Sequence, residues 1–232
     1  MVERTRELIL RYAVFFVGMT FIALGIVLGI QAQLGVNAWD ILNVGLSNIT
    51  PFTVGTWSVL TGLIFVVVTV VLTRRRPTVG CLMNMLYIGA CIDFIFYLDW
   101  VPAPVHWLGK SLMMFIGLAM MGFGSGMYVA AERGAGPRDG LTLALAVRTG
   151  WSIRKVRVTL ELTVLVIGWS MGGPVFIGTV LAALTVGPMM QFSLRLWKQW
   201  IERMLRRGVV IENLNQGAIR VNHHDGLGRQ LR

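Results

Sequence analysis

The sequence predicts an all-α membrane protein with six transmembrane helices, arranged as two inverted three-span repeats. Of its 232 residues, 55% are hydrophobic and only 14% are charged, whereas soluble domains are about a quarter charged. Six stretches are long and apolar enough to cross a bilayer, which takes about 20 residues each. A pattern of glycine and polar residues also occurs twice. The second copy follows the first by 97 residues at Gly25 and Gly122, and by 99 at Gly35 and Gly134.

The six predicted spans are residues 12–30, 54–72, 79–97, 111–130, 153–171 and 175–196. The fifth span is the least apolar, because basic residues and one glutamate crowd its first half. Each copy of the pattern holds three spans, so the second copy crosses the membrane in the opposite direction. Inverted repeats of this kind are common in transporters. We expect repeat 1 at about 11–99 and repeat 2 at about 110–196, within a single transmembrane domain over 1–196.

The net charge of +10 is placed unevenly along the chain. Lys and Arg lie before span 1, between spans 2 and 3, around the connection of spans 4 and 5, and in the C-terminal tail. The loops on the other side, residues 31–53, 98–110 and 172–174, contain Lys110 as their one Lys or Arg residue. Because positive charge stays on the cytoplasmic side, both termini are predicted to be cytoplasmic. The charge also predicts contact with anionic lipid on that face and argues against a nucleic-acid role.

Two apolar segments between the spans predict short helices. The first begins after Asn37 and ends at the Thr50–Pro51 break, and its counterpart covers residues 138–149. Apolar runs of this length are commonly re-entrant or interfacial. We favour re-entrant half-helices, one entering from each side of the membrane. Helices lying flat at the two interfaces are the alternative.

The C-terminal region departs from the repeat. Residues 197–207 place Trp197 and Trp200 at helical spacing among basic residues, which predicts an interfacial amphipathic helix at the cytoplasmic headgroup layer. Residues 208–232 are polar and predict a mobile cytoplasmic tail.

Gly25 and Gly29 in the first copy match Gly122 and Gly126 in the second. Small residues four apart let helix backbones approach closely where lipid gives no hydrophobic drive for association. The pairs predict close packing of spans 1 and 4 near the pseudo-two-fold axis. A direct role in lining a pathway is the alternative.

Aspartates occupy the matching positions at the starts of the two half-helices. A carboxylate there can satisfy free backbone N–H groups and suits the positive end of the helix dipole, so helix capping alone explains both. Alternatively, the two half-helix starts face a shared central cavity, where free N–H groups and a basic side chain hold a polar or anionic group. The candidate substrate-binding residues are Asn37, Trp39, Asp40, Arg138 and Asp139.

Three further polar residues lie inside predicted spans and are candidates for proton or cation coupling: Asp93, Glu161 and Gln191. Ionisable groups in a span cost roughly 3 kcal/mol or more, so they usually mark function. For Asp93 the alternative to a functional role is partial solvation, because it lies in the outer third of its span and close to the membrane surface. Glu161 has one too, since Arg157 lies four residues earlier on the same helix. Gln191 stands where Asp93 stands in the other copy.

No pattern typical of an enzyme is present: there is no nucleophile with a base and no phosphate-binding loop. The chain has three histidines, all outside the predicted spans. They do not assemble a metal site, so we expect no catalysis, no metal and no cofactor.

The glycine-rich end of span 1, residues 35–40 (GVNAWD) and residues 136–140 (GPRDG) resemble the YczE/YitT-type bacterial integral membrane proteins. The resemblance covers roughly residues 11–196. It implies a multi-pass protein of the bacterial inner membrane and indicates no substrate.

The leading hypothesis is therefore an inner-membrane transporter or transporter-like protein. A small polar or anionic solute would bind near the midplane, with proton or cation coupling through Glu161 or Asp93. The alternative is a non-transporting accessory protein that assembles with or regulates a membrane partner, which the short loops favour. A water-accessible central cavity lined by Asp40, Arg138, Asp139 and Glu161 would favour transport, and a solid apolar centre would favour the accessory role.

Overall fold

A computed structural model describes residues 2–134 and 136–215, with side chains from 5–134 and 136–205. The regular secondary structure of this part of the chain is helical throughout. Its helices are α1 (Val2–Ala32), α2 (Ala38–Ile49), α3 (Val54–Thr73), α4 (Val79–Leu98), α5 (Trp107–Ala130), α6 (Pro137–Thr149), α7 (Ile153–Ser170) and α8 (Ile177–Asn215). The two predicted short helices are present as α2 and α6, within one residue of their expected starts.

Five of the described helices are long and apolar enough to cross a membrane: α1, α3, α4, α5 and α8. They coincide with five of the six predicted spans and confirm an all-α membrane protein. Helix α7 falls short of the same measure, because Arg154, Lys155 and Arg157 occupy its first turns.

The loops before the two short helices share an unusual backbone conformation. Gln33 and Glu132 have φ values of 56° and 55°, and Gly35 and Gly134 have φ values of 90° and 143°. Positive φ strains most residues and suits glycine. The two sequence copies therefore turn in the same way at the same matched positions.

Helices α1 and α5 pack against each other in antiparallel directions. Gly18 lies against the backbone of Gly124, and Gly25 lies against the backbone of Gly117. A Cβ added at Gly25 would be 2.6 Å from the Gly117 carbonyl oxygen and 2.7 Å from Met121 Cγ. The two backbones thus touch where neither helix could accept a larger residue.

The four predicted packing glycines are divided among different contacts. Gly25 lies in the α1–α5 contact, whereas Gly122 and Gly126 lie against α8. Gly29 faces Val36 in the loop that precedes α2, and its backbone N lies beside Gly117 of α5. The α5–α8 contact includes a hydrogen bond of 2.6 Å from the Ser193 hydroxyl to the Phe123 carbonyl.

Each short helix packs along the third helix of the other copy. Helix α2 lies along α7, and α6 lies along α3. Ile41 contacts Gly168 in the first of these pairs, and Gly140 faces Thr69 in the second. Position 140 follows position 41 by 99 residues, and position 168 follows position 69 by 99 residues. The two contacts therefore join the same pair of matching positions, so the packing is reciprocal.

The segment 197–207 differs from its prediction as a separate interfacial helix, because it continues α8 without a break. Ile201 is only 2% exposed, and Trp197 packs edge-on against Phe123 at a centroid distance of 6.0 Å. The apolar side of this segment therefore packs on the protein. Helix α8 also includes residues 208–215 of the predicted tail, and residues 216–232 lie outside the described residues.

An ion cluster joins α1, the end of α5 and α8 on the predicted cytoplasmic side. Glu132 lies 3.1 Å from Arg11 and 3.3 Å from Lys198, and Arg11 also contacts Glu7 at 2.8 Å. The hydrogen bond from Lys198 lowers the pKa of Glu132 below its usual value. Arg11 is mostly buried, but its partners Glu7 and Glu132 are 43% and 55% exposed, so the cluster adds only modestly to stability.

Replacing Gly25 by alanine is expected to destabilise the protein by about 1–3 kcal/mol, because the added methyl group overpacks the α1–α5 contact. The thermal unfolding midpoint of purified protein in detergent measures the effect. Gly187→Ala in α8 is the matched control, since nothing lies within 4 Å of a Cβ added there. Equal midpoints for the two variants would contradict the close helix contact.

Candidate functional site

A cavity of about 560 Å³ lies where the starts of α2 and α6 come together. Residues 37–39 border it from one short helix and residues 136–139 from the other. All eight of the described helices contribute to its wall. The volume lies within the range of small-molecule pockets, so it can hold a small solute.

The cavity wall is mainly apolar, with a few charged and hydroxyl groups. Ile22, Ile26 and Phe65 are among its apolar residues. The charged side chains that reach the wall are Arg138, Asp139, Arg157 and Glu161, and neutral polar groups include Ser58, Asn84 and Ser125. An apolar pocket with few convergent polar groups is typical of ligand sites.

Arg138 of α6 contacts two neighbouring residues of α2. Its guanidinium lies over the ring of Trp39, 5.1 Å from the centroid. Its Nη2 is 3.8 Å from Oδ1 of Asp40, a distance that is too long for a direct hydrogen bond. Asp40 is 2% exposed, and within the described part of the chain its Oδ2 has no hydrogen-bond partner. Asp40 is thus a buried carboxylate with one long ion pair.

The local sequence explains why Asp40 lies at this position. Helix α2 begins after Asn37, and no side-chain cap hydrogen bond closes the starts of α2 or α6. Trp39 packs edge-on against Phe65 at a centroid distance of 5.1 Å, which fixes the first turn of α2 against α3. The positive end of the helix dipole stabilises the negative charge of Asp40 in that turn, and its ion-pair partner is Arg138.

Asp139 is more completely paired than Asp40. Its Oδ2 accepts a hydrogen bond of 3.1 Å from the Tyr128 hydroxyl, and its Oδ1 is 3.5 Å from Arg157 Nη2. Arg157 Nε in turn lies 3.5 Å from Glu161 Oε1, which is the intrahelical pair that the sequence offered as an alternative. The region thus holds three carboxylates, those of Asp40, Asp139 and Glu161. It holds two guanidinium groups, those of Arg138 and Arg157, so its net charge is −1 when all five groups are ionised.

Two of the predicted coupling residues lie away from the cavity. Asp93 accepts hydrogen bonds of 2.8 Å from the Gly55 backbone N–H and 2.5 Å from the Thr53 hydroxyl. It therefore joins α4 to the start of α3. Gln191 is exposed on α8 and is not part of the cavity wall. The structure thus brings Glu161 to the cavity and leaves the other two outside it.

Several polar residues of this region are not among those that the sequence pattern indicates. The Thr61 hydroxyl donates to the Asn43 side chain at 3.1 Å, and both residues are buried. Asn43 follows Asp40 by one helical turn, and this spacing in an apolar helix was the available signal. Tyr128 gives no such signal, because its role depends on a hydrogen bond to Asp139 of the next helix. Among the described residues no group of three or more His, Cys, Asp or Glu could hold a metal ion.

The fold and the cavity define an all-α membrane protein with a charged pocket between two short helices. Residues 9–195 match the family of unknown function DUF6198, and the chain belongs to this family. It is similar to the uncharacterized membrane protein YczE of Bacillus subtilis (strain 168), with 39% identity over 190 residues that cover 82% of this chain and 87% of the relative.

Two more relatives share most of the chain. The uncharacterized protein YyaS of Bacillus subtilis (strain 168) is 30% identical over 200 residues, which cover 86% of this chain and 100% of the relative. An uncharacterized protein of Haemophilus influenzae is 30% identical over 184 residues, which cover 79% of this chain and 83% of the relative. No solved structure shows a significant match. The YczE-type resemblance seen in the sequence is confirmed.

Arg138→Gln is expected to destabilise the protein by about 3 kcal/mol at neutral pH, because it leaves Asp40 buried without its ion-pair partner. Asp40→Asn in the same chain is expected to restore most of that loss, since the buried charge is then removed as well. Thermal unfolding midpoints of the wild type, the two single variants and the double variant measure the coupling. Additive effects would show that the two residues do not interact.

Proposed function

We propose that this protein is a multi-pass inner-membrane transporter, or transporter-like protein, for a small polar or anionic solute that binds between α2 and α6. The observation that supports this most directly is that the starts of both short helices, at matching sequence positions, border the same cavity. Helix starts that face a central cavity present free N–H groups and positive dipole ends to a solute. We propose no catalytic role.

We further propose that α7 also crosses the membrane, which makes six spans and two inverted repeats with both termini cytoplasmic. The antiparallel contact of α1 with α5 supports this. So does a second reciprocal pair of contacts: Gly178 lies against Gly35, and Gly80 lies against Gly134. In the first turns of α7, Arg157 lines the cavity and pairs with Asp139 and Glu161, so not all of their charge faces lipid.

In this proposal α2 and α6 are re-entrant half-helices. Residues 39–43 of α2 are all buried, although five consecutive residues cover every side of a helix. A helix lying flat on a bilayer surface would expose one side to water. The burial therefore favours entry of α2 into the protein interior over an interfacial position, and we extend this to α6 because its start borders the same cavity.

The basic residues outside the spans support contact with anionic lipid on the cytoplasmic face. Arg74, Arg75 and Arg76 follow α3 and are all exposed. Basic residues next to a membrane attract anionic headgroups by about 1 kcal/mol each.

A non-transporting accessory protein remains the second candidate. The observation that favours it is the pairing of Arg138 and Arg157 with carboxylates, which gives the wall a self-contained set of charges. In that case the cavity need not open to either side, and the function would depend on a membrane partner or a second copy.

Access to the cavity from both sides of the membrane tests transport without knowledge of the solute. The chain has two cysteines, so Cys81→Ser with Cys91→Ser gives a cysteine-free background. Single cysteines at Ser58 and Ser125, both in the cavity wall, are exposed to a membrane-impermeant thiol reagent from either face of oriented vesicles. We expect both positions to react from both faces.

Ser193→Cys in the same background is the control, because Ser193 is fully buried outside the cavity wall and is expected not to react. Labelling of Ser58→Cys and Ser125→Cys from one face only, or from neither, would favour the accessory role.

Crossing by α7 is tested with Arg154→Cys and Ser170→Cys in the cysteine-free background, since both residues are exposed at the ends of this helix. In intact cells the impermeant reagent should label only Ser170→Cys, and Arg154→Cys should react after permeabilisation. Labelling of both from the same side would exclude six spans.

A further inference from the structure

We propose that Arg138 is the anion-binding group of the cavity and that Asp40 competes with the anion for it. A solute with one negative charge takes the place of Asp40 beside Arg138, and Asp40 takes up one proton from water. This inference rests on the proposed function and names its substrate class, a small organic monoanion, and its coupling ion, the proton.

Arg138 is positioned to hold such an anion. A guanidinium group has five N–H donors in a planar arrangement that matches a carboxylate or sulfonate. The contacts of Arg138 are the face of Trp39 and the 3.8 Å ion pair with Asp40, and neither occupies a donor with a short hydrogen bond. Its side chain is 36% exposed and lines the cavity. Its donors are therefore available to a solute.

Asp40 is the carboxylate best placed to take up the proton. Its Oδ2 is buried and has no partner among the described residues, whereas both oxygens of Asp139 have one. A buried charge held by one long ion pair is costly, and neutralisation by a proton removes that cost. Protonated Asp40 no longer attracts Arg138, which frees the guanidinium for the solute.

The remaining charged groups around the cavity stay paired during this exchange. On α7, Arg157 contacts Glu161, and it also contacts Asp139 of α6, to which Tyr128 of α5 donates a hydrogen bond. Helix α2 has no other ionisable side chain and α3 has none, and the wall residues of α1, α4 and α8 are uncharged. Asp40 and Arg138 are thus the pair that can separate without disturbing the others.

The exchange also conserves the charge of the cavity. Asp40 lies buried behind the cavity wall, next to Arg138. Before binding, the cavity and Asp40 together hold three carboxylates and two guanidinium groups, which gives one net negative charge. After binding they hold two carboxylates, one neutral acid, two guanidinium groups and one bound anion, which again gives one net negative charge. Empty and loaded forms therefore present the same net charge to the low-dielectric interior of the membrane, where a change in charge would be costly.

The test uses methanesulfonate, a monoanion whose own charge does not change between about pH 5.5 and about pH 7.5. Isothermal calorimetry on the purified full-length protein measures its affinity at both values. For the wild type we expect binding at least tenfold weaker at the higher pH, because proton uptake linked to binding opposes it there. Asp40→Asn should bind with the same affinity at both.

Two further variants identify the anion-binding group and exclude a general effect of carboxylate loss. Asp40→Asn with Arg138→Gln removes the guanidinium without leaving a buried unpaired charge, and it should bind methanesulfonate at least tenfold more weakly than Asp40→Asn alone. Asp93→Asn removes a carboxylate outside the cavity and should retain the pH dependence of the wild type.

A pH dependence that persists in Asp40→Asn would overturn the role of Asp40, and unchanged affinity in the double variant would overturn that of Arg138. Failure of the wild type to bind methanesulfonate at either pH would overturn the monoanion assignment. None of these results decides transport itself, which the labelling of Ser58→Cys and Ser125→Cys tests independently.

Discussion

The backbone contact between α1 and α5 is the constraint on which the rest of the structure depends. Lipid tails are as apolar as the helices, so association within a bilayer relies on close packing of small residues. Gly18 against Gly124 and Gly25 against Gly117 supply that packing. Because α1 and α5 each lead into a short helix, the same contact brings the starts of α2 and α6 to opposite sides of one cavity. A larger residue at these glycines would separate the helices and the two halves of the cavity together.

The loops after α1 and α5 determine where each short helix begins relative to the α1–α5 contact. Gly35 and Gly134 turn with positive φ, and the Gly178 backbone N–H donates to the Leu34 carbonyl at 2.7 Å. This hydrogen bond fastens the first loop to the start of α8, and the second loop contacts the start of α4 where Gly134 lies against Gly80. The short helix that follows then packs on the third helix of the other copy, so neither copy can bury its short helix alone. This interdependence explains why the cavity wall includes all of the described helices.

Local features made much of this fold predictable from the sequence. Asn37, Gly136 and Pro137 are typical of helix starts, and the short helices begin within one residue of the positions that they indicate. The long-range partners could not be predicted in this way. Asp93 had the properties of a functional carboxylate until Gly55 and Thr53, about 40 positions away, proved to be its partners. Past residue 196, α8 continues and Trp197 packs against Phe123, a contact that has no signal in the local sequence pattern.

The cavity owes its chemistry to the positions where the two copies differ. Trp39 and Arg138 occupy matching places, and because the copies face each other, they form one cation–π contact across the cavity. Two tryptophans would supply no charge there, and two arginines would repel each other. Position 157 is arginine where the first copy has Ser58, so Asp139 has a basic partner on α7, whereas the matching position on α3 is uncharged and Asp40 has Arg138 alone. With these differences, both oxygens of Asp139 have partners, whereas Asp40 is buried with one oxygen unpaired among the described residues. Asp40 is for this reason the carboxylate that the proposed exchange replaces by a solute.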